Sequence, residues 1–70
     1  MAESHTGFDN TFYNVVSVQY HALKGSSVYS QYIEDARAAG ESEVAEFFER
    51  VQAEDSQRAQ DCHHLLEKLS

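Results

Sequence analysis

The stretch EVAEFFERVQAEDSQRAQDCHHLLEKL, residues 43–69, decides the fold. Its apolar residues fall at Val44, Phe48, Val51, Cys62, Leu65 and Leu69, in alternating steps of four and three that trace one face of a helix. Carried through the gap, the same steps land on Asp55 and Arg58. Burying two charges costs free energy unless they pair, so this centre reads as a site or as the remains of one.

Working outward, Gly40 is the natural residue to end a preceding helix, because it enters the left-handed conformation without a side-chain clash. Ser42 is placed to cap the helix that follows, with Glu43 and Glu46 near its positive end and Lys68 near its negative one. Before Gly40 the chain has no proline, so a single helix is expected over residues 10–39, with a bend allowed at Gly25-Ser26-Ser27. Gly25 inside that helix costs ~1 kcal/mol relative to alanine. Asp9 is the expected N-cap, with Phe8 stapled onto Tyr13. Residues 1–9 are read as a flexible N-terminus and residues 10–70 as the folded unit.

Two long helices joined by two or three residues lie antiparallel. The first carries its own seven-residue repeat: Phe12, Val15, Gln19, Ala22, Ser26, Tyr29, Ile33 and Ala36. Folding at Gly40 pairs residues whose numbers add to about 80. The hairpin is then apolar at both ends. Its middle holds a polar layer of Gln19, Ala22, Ser26, Asp55 and Arg58. A second apolar set, including Val16, Val18, Tyr20, Leu23, Val28, Tyr32, Phe47 and Leu66, flanks the first. One partner helix cannot cover so much circumference. Seventy residues are also few for a self-sufficient core, and the single Cys62 forms no internal disulfide. The expected fold is therefore all-α: an antiparallel helical hairpin dimerising into a four-helix bundle.

Twelve acidic residues against five Lys and Arg give a net charge of −7, which argues against a nucleic-acid partner. No apolar run reaches the ~18–20 residues of a membrane span, and no secretory signal is expected at the N-terminus. A soluble cytoplasmic protein that pairs with itself is the expectation, with a larger protein partner left open.

The segment YSQYIEDARAAGESEVAEFFERVQAEDSQRAQDCHHLL, residues 29–66, resembles the first helical hairpin of the rubrerythrin branch of the ferritin-like proteins. The shared features are a tyrosine-rich first helix, Ala36-Arg37 before the turn glycine, Phe47-Phe48-Glu49, and the acid-rich heptads after it. The resemblance implies a four-helix bundle that holds two iron or manganese ions through a Glu from helix 1 and a Glu-x-x-His from helix 2. Here the helix-2 glutamate falls on Asp55, the histidine on Arg58, and the helix-1 glutamate on or near Ala22. A guanidinium has no lone pair to give a metal and supplies a permanent positive charge in its place.

Three readings of Asp55 and Arg58 follow. They form an interior ionic layer that sets dimer register, a solvated surface pair, or a functional site. The first is preferred, with no cofactor. The protein is then a non-catalytic ferritin-like assembly or interaction module that has lost its metals. The alternatives are an iron or manganese protein whose ligands (Asp55 with Glu54, Glu49 or His21) come from two chains, and a binder of a small ligand near Arg58. His63 and His64 point about 100° apart and do not share an ion without help; His63 with Glu67 is an i,i+4 pair able to hold at most a weak surface cation. Cys62 is expected as a small apolar filler.

Overall fold

A computed structural model describes residues 10–70. The expectations for residues 1–9, including the Asp9 cap and the Phe8 half of the staple, lie outside the described residues. Two helices account for nearly all of the rest: α1, Asn10–Ala38, and α2, Ser42–Leu69. The helical hairpin expected from the sequence is therefore present. α1 runs through Gly25 without interruption. No helix among the described residues is long and apolar enough to cross a membrane.

The turn follows from Gly40, the one described glycine with a positive φ, at 76°. The amide of Glu41 donates to the carbonyl of Ala36 at 2.9 Å, and that of Gly40 to Arg37 at 3.0 Å. These are the paired bonds of a Schellman motif, which satisfy carbonyls that the end of α1 would otherwise leave open. Glu41 then serves as the N-cap of α2, without a side-chain cap bond. This corrects the expectation for Ser42, which instead begins the helix. Ending α1 at Ala38 and using Gly40 and Glu41 to close the turn leaves Ser42 too late in the chain to cap. A Cβ at Gly40 would meet nothing within 4 Å, so only backbone strain opposes one. Gly40→Ala should therefore cost about 1–2 kcal/mol in a denaturant titration, with no change in helical signal under native conditions.

The register is the one expected. Gly25 lies against Asp55, Ser26 bonds to Ser56, and Tyr29 stacks over Phe48. The facing stripe of α1 also matches: Ala22 and Ala36 are buried, while Phe12, Val15, Gln19, Ser26, Tyr29 and Ile33 are half-buried.

The stripe of α2 is turned. Phe48, Val51, Asp55 and Cys62 are buried or half-buried as expected, but Ala45, Gln52, Ala59 and Leu66 join them as a second row. Val44, Arg58, Leu65 and Leu69 are exposed. At 100° per residue this is a rotation of about 50°. Its physical reason is size: Ala45 and Ala59 let the two backbones approach closely, as Ala22 and Ala36 do from α1. Among the described residues, those buried are four alanines and Cys62, and no large side chain is fully enclosed.

The hairpin is a rod of 50 × 20 × 16 Å with a Cα radius of gyration of 15.9 Å, against about 11 Å for a compact domain of this length. Eleven large apolar side chains of the described residues stand exposed.

Candidate functional site

The middle of the rod is held by polar contacts between small residues. Gln52 Nε2 donates to the carbonyl of Ser26 at 2.7 Å and lies 3.1 Å from Ser30 Oγ. Ser26 Oγ and Ser56 Oγ share a hydrogen bond of 3.1 Å. Gln19 Nε2 donates to the carbonyl of Ala59 at 3.4 Å. Among the described residues, no buried side-chain nitrogen or oxygen lacks a partner. Because each group exchanges water for a protein partner, the layer fixes the register of the two helices more than it adds stability.

Of the five residues expected in the layer, Gln19, Ala22, Ser26 and Asp55 lie in the seam between the helices. Arg58 lies on the flank: its guanidinium donates to the carboxylate of Asp55 while its side chain is 49% exposed and that of Asp55 14%. The inward position one residue on belongs to Ala59. The sequence reading did not include Gln52, Ser56 and Ala59, although Ala45, Gln52, Ala59 and Leu66 form a seven-residue row legible in the chain.

Gly25 has a specific neighbour. A Cβ there would lie 2.6 Å from Asp55 Oδ2 and 3.5 Å from the Tyr29 ring. The missing side chain makes the space that Asp55 fills. Gly25→Ala gains ~1 kcal/mol of helix propensity but must turn Asp55 out of the seam. Asp55→Ala removes that conflict along with a half-exposed ion pair worth ~0.2–1 kcal/mol. The two substitutions should be non-additive. The double variant is expected to be more stable than the sum of the singles by about 1 kcal/mol in a double-mutant cycle by chemical denaturation.

The other expected site residues remain apart. His21 is exposed, with its ring edge-on to Tyr20 at 5.2 Å between centroids. Glu54 is exposed beside Asp55, and Glu49 pairs with Arg37 on the far side of the rod. Within the single chain, no three His, Cys, Asp or Glu side chains of the described residues gather in one place. Cys62 is a buried free thiol packed in the seam. His63 Nε2 lies 3.3 Å from Glu67 Oε2, the expected pairing one turn apart, with both side chains largely in solvent.

The two long sides of the rod differ. One is polar, with the Arg37–Glu49 ion pair and an open groove along Gln19, Leu23, Ser56, Ala59, Gln60 and His63. The other is largely apolar and carries two shallow grooves. One, near the turn, is lined by Tyr32, Asp35, Ala36, Glu41, Val44 and Phe48. The second, near the free ends, is lined by Thr11, Asn14, Val15, Val18, Cys62 and Leu65. Gly25, Asp55 and Arg58 lie between them at mid-length. Near the turn groove, Phe48 anchors an aromatic cluster with Tyr29, Tyr32 and Phe47.

No family model, curated protein or solved structure matches the chain.

Proposed function

We propose that the hairpin is a non-catalytic assembly module, active as a homodimer in which two copies complete a ferritin-like four-helix bundle. The observation that carries this reading is the imbalance of burial. The chain encloses four alanines and a cysteine while leaving eleven large apolar side chains of the described residues exposed. A monomer rarely leaves so much apolar surface in water, and a rod with one largely apolar side finishes its core by pairing. A second copy is the occupant that needs no further component, and closed twofold pairs are the commonest assemblies.

The chemistry of the central layer supports a module without a metal. Asp55 is the sole carboxylate there and is engaged by Arg58, whose guanidinium offers donors only. These residues do not provide a donor set for iron or manganese, and a permanent cation beside Asp55 opposes one. The layer instead serves as a polar register mark in the bundle.

Sedimentation equilibrium over a wide concentration range tests the reading. The expected result is a mass twice that of the 7.9 kDa chain, with a thermal midpoint that rises with protein concentration. A monomeric mass together with a concentration-independent midpoint would overturn it. Metal analysis of untagged protein adds an independent check: about two iron or manganese ions per dimer, lost on Asp55→Ala, would replace this reading with a metal-binding one.

A further inference from the structure

Resting on the homodimer reading, we infer that the two copies meet through the side of the rod bearing Asp55 and Arg58, antiparallel, with each Arg58 paired to the second copy's Asp55 across a twofold axis. The apolar side is divided into two grooves at opposite ends of the rod, one by Tyr32 and Val44 and the other by Val18 and Leu65. Between them stands the one ion pair of the described residues on that side, Asp55 with Arg58. Asp55 lies at the midpoint of α2 and faces Gly25 near the midpoint of α1.

This placement determines the orientation. A twofold axis across the rod between Asp55 and Arg58, close to its centre, lays the turn end of one copy against the free end of the other, so nearly the full length of both apolar sides overlaps. Arg58 then comes level with the second copy's Asp55, and the four charges alternate in sign. An axis along the rod would instead set arginine beside arginine and aspartate beside aspartate, which like-charge repulsion disfavours. Arg58 is free to serve both carboxylates, because half of its side chain is exposed in the single hairpin and its five donors exceed what one Asp uses. Burial of the apolar ends supplies affinity. The central charges select the partner's direction and register.

The polar side makes the competing prediction. Leu23 is 55% exposed there, beside Gln19 and His63, and would be central to a dimer built on that side. The experiment measures association of the full chain by sedimentation velocity and native mass spectrometry, for wild type, Arg58→Glu, Asp55→Arg, Leu23→Glu and an equimolar mixture of the first two variants. The expected result is that Arg58→Glu and Asp55→Arg each weaken self-association by ~100-fold or more, because like charges then meet across the axis. Mixing them should give a heterodimer, since one brings two acids and the other two bases. Leu23→Glu should associate like wild type. If Asp55→Arg disturbs its own hairpin against Gly25, recovery of helical circular dichroism on mixing still reports the pairing. Any other pattern in a wild-type protein that dimerises overturns this face and leaves the homodimer standing. A wild type that stays monomeric overturns the homodimer itself.

Discussion

Ala59→Asp should unfold the hairpin under conditions in which the parent chain is fully helical. Ala59 is 6% exposed and faces α1 level with Ala22, which is 4% exposed. Gln19 reaches across to the carbonyl of residue 59 itself, so the backbones are close at this point. An aspartate there is too short to carry its carboxylate out of the seam. The nearest arginine, Arg58, is already paired with Asp55 and points away from the seam. A charge left in such a place costs ~3 kcal/mol or more, a large share of what a chain of this size can have in total. Gln60→Asp, one residue along and exposed, is the control and should shift stability by no more than about 0.5 kcal/mol. Urea unfolding followed by circular dichroism distinguishes them. Equal losses for the two variants would mean that the helices do not meet at Ala59.

Val18→Glu combined with Leu65→Glu should abolish association and, with it, most of the helical signal at low protein concentration. Both side chains are nearly half exposed in the single hairpin, so on that basis alone the pair would change stability very little. They line the same groove at the free end of the rod. In the proposed bundle that groove is covered, and two carboxylates within it would remain unpaired. Each charged residue placed in a covered apolar groove of such an interface costs about 2 kcal/mol or more. The association constant should fall by at least ~100-fold. Unfolding then follows, because the hairpin alone encloses no large side chain. Sedimentation and circular dichroism on the same samples read both effects. A double variant that keeps both its mass and its helicity would show that this groove stays in water.

The helices and the turn were legible because their causes are local. Gly40 marks the turn through its own φ, the absence of proline lets α1 run unbroken, and the heptads of each segment give the register from the turn alone. Gly25, read from the sequence as a cost, proves to be the space into which Asp55 packs. The central layer was legible in part. Ser26, Gln19 and Asp55 fall on the α1–α2 seam because the spacing puts them there. Gln52 and Ser56 were not seen, since a hydrophobic repeat records apolar residues and passes over the polar ones that bond across the seam.

The sequence by itself determined two antiparallel helices, their turn and their register, because periodicity and backbone conformation are properties of the chain taken in order. Only the tertiary structure decided which flank of α2 meets α1. Two rows of α2, one of large residues with Arg58 and one with Ala45 and Ala59, compete for the same seam. The alanine row wins because small side chains let the backbones close and the Gln19 and Gln52 bonds form. Turning the alanines inward leaves Val44, Leu65 and Leu69 in solvent and sets Arg58 at the rim beside Asp55.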